Sequence, residues 1–347
     1  MSDSTFVDSM SMWEATLGLP EQVEEAAESA IALGGLPVKH EIENIVTLGM
    51  GGSGIGGDVL LAIAGPFLAV PVVVIKSYTM PAFVGPGTLV FAASFSGETE
   101  ETIEAIQIAA EQGAQIVAIT SGGELEEFAT HNGFPVIKVR GDIPQPRAAF
   151  GAMSVPALVV LEEVGLFPGA THWIDFAVAQ LKRRRDQLSQ PNSIAAQMAN
   201  SILDTVPVIA SSTAVGSVAS FRWKAQINEN VKIPAFTTVL PEACHNEITG
   251  WEEWPSFTSE RFSWIALRHD GEHPQVSRRF DIVREIISPK VANFLEFRAE
   301  GEGEFAQLMD LVMTGDFVSL ELCRLLGVDP GPIPVLVDLK NRLKEGE

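Results

Sequence analysis

The sequence predicts an α/β protein made of two doubly wound halves, and three observations carry that expectation. Short, continuous apolar runs alternate with longer stretches of helix formers, the pattern of parallel strands buried on both faces. A glycine-rich segment follows the first of these strands directly, the place where doubly wound sheets hold their ligands. After Pro191 the alternation starts again. At 347 residues the chain is too long for one ordinary domain and suits two.

In chain order, residues 1–40 form an N-terminal helical segment. Its stretch from Glu21 to Leu33 is rich in helix formers and stops at Gly34-Gly35. A first doubly wound domain spans 41–165. Ile45–Leu48 is a strand, 49–57 a glycine-rich turn and 58–64 a helix. Strands then fall at 70–75, 88–93, 115–119 and 135–138, with helices at 98–111, 124–131 and 153–164. Gly165–Pro168 is a break, and 166–200 reads as a helical linker. Its basic run Lys182–Arg185 reads as a solvated helix face. The second domain, 201–328, has strands at 206–210, 262–267 and 291–297. Its helices fall at 218–230, 280–287 and 304–326, like a copy of the first that has lost most of the glycines. Pro330-Gly331-Pro332 introduces a C-terminal tail helix within 329–347.

Composition excludes several function classes. A formal net charge of −22 argues against a nucleic-acid partner, because phosphate backbones require a basic footprint. No apolar run is long enough to span a bilayer, which takes about 20 residues. The acidic N-terminus lacks the pattern of a secretory signal, so the cytoplasm is the expected compartment. Two cysteines, Cys244 and Cys323, give no disulfide framework, and no histidine pair has zinc spacing. An acidic protein that binds an anion must do so with local devices: helix N-termini, hydroxyls and one or two cations.

Two segments offer such devices. Gly49, Gly51 and Gly54 match G-x-G-x-x-G after a strand. A dinucleotide site would need an acidic residue about 20 positions on. The second strand ends Ile75-Lys76-Ser77-Tyr78 instead, so no nicotinamide cofactor is expected. Gly51, Gly52 and Ser53 suit close approach to a smaller anion. The second segment, Phe91 to Thr102, sets the hydroxyls of Ser94, Ser96 and Thr99 where a strand becomes a helix. Ordinary helix capping also uses such residues. Two of these turns at the carboxyl ends of neighbouring strands converge on one crevice and make a phosphate cradle.

The Gly-Gly-Ser-Gly turn followed by Ser-x-Ser-Gly-x-Thr resembles the sugar isomerase (SIS) domain. Over nearly the whole chain the sequence resembles the bifunctional phosphoglucose/phosphomannose isomerase family. The resemblance is carried further by Tyr78–Pro81, Pro146–Phe150, Arg222–Ala235 and Leu240–Glu247. It implies two flavodoxin-like SIS domains and isomerisation of glucose 6-phosphate and mannose 6-phosphate to fructose 6-phosphate through an enediol, with no cofactor or metal. It also implies that Glu229 is the catalytic base, that His245 and Lys340 open the ring, and that Arg147 faces the enediolate. A homodimer follows from it as well, with His245 reaching across a two-fold interface.

The residues suit these roles independently. Moving a proton between C2 and C1 takes one base that can accept and return it, and a carboxylate qualifies where burial raises its pKa from about 4.3. Ring opening takes a group present in both protonation states near neutrality, which suits histidine. A developing enediolate favours a fixed cation. His40, His131, His172, His269 and His273 match nothing and are expected at the surface. Gly331, Cys244 and Glu98 depart from the family pattern, which bears on epimer preference rather than on the isomerisation. Two rival readings are a non-catalytic sugar-phosphate-binding regulator and an isomerase of another sugar phosphate.

Overall fold

A computed structural model describes residues 6–345. In chain order the elements are α1 (Met12–Leu17), α2 (Leu19–Ser29), β1 (Asn44–Leu48), α3 (Gly51–Ile63), β2 (Val72–Ile75), β3 (Thr88–Ser94), α4 (Glu100–Glu111), β4 (Gln115–Thr120), α5 (Gly123–His131), β5 (Val136–Lys138) and α6 (Phe150–Glu163). There follow α7 (Ala170–Leu188), α8 (Ile194–Ile202), β6 (Val206–Ser211), α9 (Val215–Gln226), β7 (Phe236–Val239), α10 (Pro255–Arg261), β8 (Phe262–Arg268), α11 (Pro274–Ile287), β9 (Asn293–Arg298), α12 (Gly303–Leu326) and the tail helix α13 (Pro334–Glu345). Two compact units emerge. The first holds Gly18–Arg183 and Glu300–Asp310; the second holds the described residues 6–17, Arg184–Ala299 and 311–345.

The first unit has a five-stranded parallel sheet in the order β2-β1-β3-β4-β5. This is the flavodoxin-like order, whose switch point lies between β1 and β3. Every residue of β3 is buried, as a central strand covered on both faces requires. Val46, Val90, Ala92, Ile106, Ile116 and Leu125 form part of the core on one side of the sheet. Along α6, every residue from Phe150 to Leu161 is buried, so this helix has no polar face to give to water.

The segment expected to be a turn is helical. Residues 51–57 are the first two turns of α3 rather than a loop before it. Glycine disfavours helix by about 1 kcal/mol against alanine, so local propensity misleads here and packing explains the outcome. A Cβ on Gly54 would stand 2.3 Å from the Gly49 carbonyl oxygen, one on Gly56 2.3 Å from that of Met153, and one on Gly57 2.2 Å from Thr47 Oγ1. The helix lies too close to β1 and α6 for side chains at these positions.

The second unit has a parallel sheet in the order β7-β6-β8-β9, repeating the first four strands of the other sheet without a fifth. Four-residue β7, at the edge and half exposed, was not expected from the sequence. The core on one side of this sheet gathers Val208, Leu240, Trp264, Phe280, Val283 and Ile287. The basic run at 182–185 is not a solvated face throughout. Arg184 is buried and stacks over the Phe297 ring at 5.2 Å, Arg185 donates to the Leu17 carbonyl, and Lys182 pairs with Glu24 at 2.7 Å. Among the described residues no helix is long and apolar enough to cross a membrane.

Candidate functional site

In the first unit the two predicted motifs meet. Chain leaving β1 passes through Gly49-Met50 into α3, whose N-cap Met50 supplies no side-chain capping bond. The first N–H groups of a helix lack intrahelical partners. Those of Gly51 and Gly52 therefore stand at the carboxyl end of β1. Ser53 is buried and its Oγ accepts the Phe95 N–H at 2.9 Å, which joins the first turn of α3 to the loop after β3.

That loop is shaped by its own hydroxyls. Buried Ser94 Oγ accepts the Gly97 N–H at 3.1 Å and lies 2.8 Å from Thr99 Oγ1. Exposed Ser96 accepts the Glu98 N–H at 3.2 Å. Thr99 is the N-cap of α4 by position, yet its side chain makes no capping bond to the helix. Ordinary capping therefore does not account for it. Gly97 has φ +75° and its Cβ would stand 1.8 Å from the Gly122 carbonyl oxygen, so only glycine fits this bend. With α3 and α4 both starting here, two positive dipole ends face the β1/β3 switch point.

Arg147 joins them through another glycine. A Cβ on Gly52 would stand 2.9 Å from the Pro146 carbonyl and 3.0 Å from the Arg147 nitrogen. The bare backbone there lets the 3-10 turn Pro146–Ala148 sit against the first turn of α3, which leaves Arg147 buried. Gln22 braces this turn, donating to the Ala148 carbonyl and accepting the Ala152 N–H. Gly51, Gly52, Ser53, Ser94, Ser96, Thr99 and Arg147 thus gather around one end of the first sheet.

Lys76 is a cation that sequence reasoning noticed only as a missing acid. It follows the last residue of β2, its Cε would touch a Cβ on Gly54 at 3.5 Å, and its ammonium pairs with Asp58. Burial pushes the Asp58 carboxyl up, against the opposing effect of Lys76. A lysine one strand away from a glycine helix was the available signal.

In the second unit, α9 ends at Gln226 and passes into a π-helical turn, Ile227–Val231, that carries Glu229. Such turns are rare and recur at functional sites. Its flanking asparagines explain the Asn-Glu-Asn pattern. Asn228 Nδ2 donates to the Ile233 carbonyl and Asn230 Nδ2 to Ser319 Oγ, both at 2.9 Å, leaving Glu229 half-buried between two pinned residues. Behind it α9 is anchored to α12. Arg222 makes a bidentate pair with Asp316 at 2.8 and 2.9 Å, and Trp223 Nε1 donates to the Leu311 carbonyl at 2.7 Å. A Cβ on Gly315 would stand 2.3 Å from the Trp223 ring, so the contact needs glycine.

Glu229 and His245 sit on the two turns that flank β7. The turn bearing Glu229 precedes β7, whereas His245 closes a 3-10 turn that follows it and is exposed. β7 is an edge strand of four residues, about 13 Å long at about 3.3 Å each, so the two turns leave it at opposite ends. Lys340 is exposed on α13.

His269, expected at the surface, is 3% exposed. It follows β8 at the carboxyl end of a central strand, its Nε2 lies 2.7 Å from Ser212 Oγ, and its Nδ1 is buried without a partner. Burial pushes its pKa down, outweighing Glu272 and Asp270. Arg268 before it is likewise buried, against Glu272 and Glu296.

Comparison with known proteins gives a consistent picture. Residues 192–343 match the family described as bacterial phospho-glucose isomerase C-terminal SIS domain, and residues 40–134 match the SIS domain. A bifunctional phosphoglucose/phosphomannose isomerase of Caldicellulosiruptor bescii is 35% identical over 96% of this chain and 99% of its own. One from Aquifex aeolicus is 34% identical over 87% of this chain and 91% of its own. Among solved structures, the C-terminal domain of glucosamine-fructose-6-phosphate aminotransferase from Francisella tularensis superposes with a TM-score of 0.72. It is 13% identical and covers 96% of this chain and 100% of its own, a likeness of fold.

Proposed function

The chain belongs to the bifunctional phosphoglucose/phosphomannose isomerase family, and from that premise we propose that it interconverts glucose 6-phosphate and mannose 6-phosphate with fructose 6-phosphate through an enediol. The observation that carries this reading is identity of 35% to such an isomerase across 96% of the chain, in a protein whose first sheet also ends in an uncapped pair of helix N-termini. Gly51, Gly52, Ser53, Ser94, Ser96 and Thr99 hold the phosphate, with Ser94 acting through the shape of the loop. Glu229 takes the proton from C2 and returns it at C1. Arg147 offsets the charge that develops on the enediolate, and His245 with Lys340 moves protons during ring opening. In this reading 41–165 is the phosphate-binding domain and 201–328 the domain of the base, in a cytoplasmic enzyme.

We propose further that the enzyme is a homodimer in which each site is completed by His245 of the partner subunit. The place of Glu229 and His245 on turns at opposite ends of the edge strand β7 supports this, since chemistry that needs both side chains at one carbon skeleton is then met by a second chain.

Purified protein given fructose 6-phosphate should form glucose 6-phosphate and mannose 6-phosphate in the presence of a chelator. Glu229→Gln should lose exchange of the C2 proton with solvent while still binding the sugar phosphate; retained exchange removes the assignment of the base. Mixed and reassembled with inactive His245→Ala, it should regain roughly a quarter of wild-type activity, because statistical heterodimers restore one site of two. No recovery rules out the shared site.

A further inference from the structure

The turn that carries Glu229 is followed by Lys232 in the left-handed conformation, φ 64° and ψ 32°, which a residue with a side chain seldom adopts unless its surroundings hold it there. The ammonium of this residue donates to two backbone carbonyls, Asn230 at 2.8 Å and Asp329 at 2.6 Å. Asn230 is the residue after Glu229. Asp329 is where the chain leaves α12 for α13, the helix bearing Lys340. Its carboxylate is fixed in turn, accepting the N–H groups of Ser9 at 3.3 Å and Gly331 at 3.1 Å. Burial raises the Asp329 pKa, but the hydrogen bonds from Ser9 and Gly331 and the charge of Lys232 outweigh it and hold the carboxylate ionised.

Nothing about burial forces this arrangement. Lys232 is exposed, and a surface ammonium is satisfied equally well by water. Bridging two main-chain segments 97 residues apart restricts a flexible side chain, and what it achieves is to fix one segment against the other. We infer that Lys232 is a positioning residue that ties the Glu229 turn to the linker ahead of α13, so that the base and Lys340 are presented as one set. The inference rests on the roles proposed above for Glu229 and Lys340.

The test uses the full-length chain with fructose 6-phosphate as substrate and three variants: Lys232→Met, Lys232→Gly and Lys232→Arg. The first two should lower kcat on the order of tenfold or more and leave KM within about twofold, because the phosphate is held by other residues. Lys232→Arg should recover most of the rate, since a guanidinium can also donate to both carbonyls. Glycine accepts φ near +60° without strain, so Lys232→Gly should unfold at or above the wild-type temperature while still losing kcat. A purely structural lysine would not separate those two readouts. In a Lys340→Met background, Lys232→Met should cost clearly less in kcat than it does in the wild type, because the two act through one arrangement. Wild-type kcat in both Lys232→Met and Lys232→Gly overturns the inference, and so do equal fractional losses in the two backgrounds. Should Lys232→Met fail to fold, the glycine and arginine variants decide the matter. If Glu229→Gln retains C2 exchange, the base assignment falls; if it is inactive while the Lys232 variants turn over normally, only the positioning role falls.

Discussion

Arg222→Met should destabilise this protein by about 3–5 kcal/mol, the range for stranding one charge of a buried pair. Both partners are nearly sealed from water, with side-chain exposures of 3% for Arg222 and 6% for Asp316. Two parallel N–H···O bonds of 2.9 and 2.8 Å join them, and Gln226 adds a third to the same carboxylate. Removing the guanidinium leaves Asp316 buried with the Gln226 amide as its remaining side-chain donor. The double variant Arg222→Met with Asp316→Leu removes both charges and should come back to within about 2 kcal/mol of the wild type, because packed apolar groups replace a buried pair at little net cost. The pH dependence has a definite sign. Burial already raises the Asp316 pKa, opposed first by the charge of Arg222. Without Arg222 the folded-state value climbs further above the unfolded value of about 3.9. A carboxyl raised in this way contributes stability at low pH and loses it as pH rises through its folded value. The deficit of Arg222→Met relative to the wild type should therefore shrink on acidification from pH 7 toward pH 5. Urea unfolding followed by tryptophan fluorescence at several pH values measures all three quantities, fitted with an intermediate if the two units unfold separately. A deficit under about 1 kcal/mol at pH 7, or a double variant as unstable as the sum of its single changes, refutes the reasoning.

Gly56→Ala tests whether packing rather than propensity makes α3 helical. Propensity alone predicts a gain of about 1 kcal/mol, whereas a Cβ 2.3 Å from the Met153 carbonyl oxygen predicts a loss of about 1–3 kcal/mol, and thermal unfolding reads the sign. Ser53→Ala removes the acceptor for the Phe95 N–H and should raise KM for sugar phosphates roughly tenfold with a smaller change in kcat, by steady-state kinetics. His269→Gln addresses acid stability. The pKa of His269 is depressed in the fold, so the stability it contributes is present above about pH 6.5 and is lost as pH falls below it. The variant should show a shallower fall in unfolding temperature between pH 7.5 and 5.5 than the wild type, and an identical slope would show that another group is responsible.

Much of this architecture was legible as hydrophobic pattern. Continuous apolar runs located β1, β3 and β4 because both faces of those strands are covered, and the turn residues between them fixed the alternation. Legibility failed where tertiary contacts overrule local preference. The glycines at 51–57 look like a loop, yet they are a helix pressed against Thr47, Gly49 and Met153, and the absence of side chains is the condition for that contact. β7 was missed because four half-exposed edge residues, Phe236–Val239, carry no apolar run of their own. His269 was misplaced because it belongs to no motif and was read with the other unmatched histidines as a surface residue, whereas its place after a central strand puts it in the interior. Among the candidate site residues, the hydroxyls of 94–99 were visible as a motif. The π-helical turn at Glu229 was not, since nothing in Ile227–Val231 departs from a regular helix except the contacts that Asn228 and Asn230 make.

The charge of the chain and the form of the phosphate grip proposed for it are two sides of one constraint. A net charge of −22 disfavours any dianion at long range, and Glu98, Glu100 and Glu101 stand at the very turn proposed to hold one. Screening confines that repulsion to about 8 Å at physiological ionic strength, so the contest is decided by first contacts. There the proposed donors are peptide N–H groups of α3 and α4 and hydroxyls locked by Ser53–Phe95 and Ser94–Thr99 bonds, groups that carry no compensating counter-ion and would need no reorganisation for a ligand. A cradle of mobile lysines would be neutralised by the surrounding carboxylates, as Lys76 is by Asp58. Fixed dipoles cannot be paired off in that way, and this is why the glycines that bring the backbone close matter more to the grip than cations would.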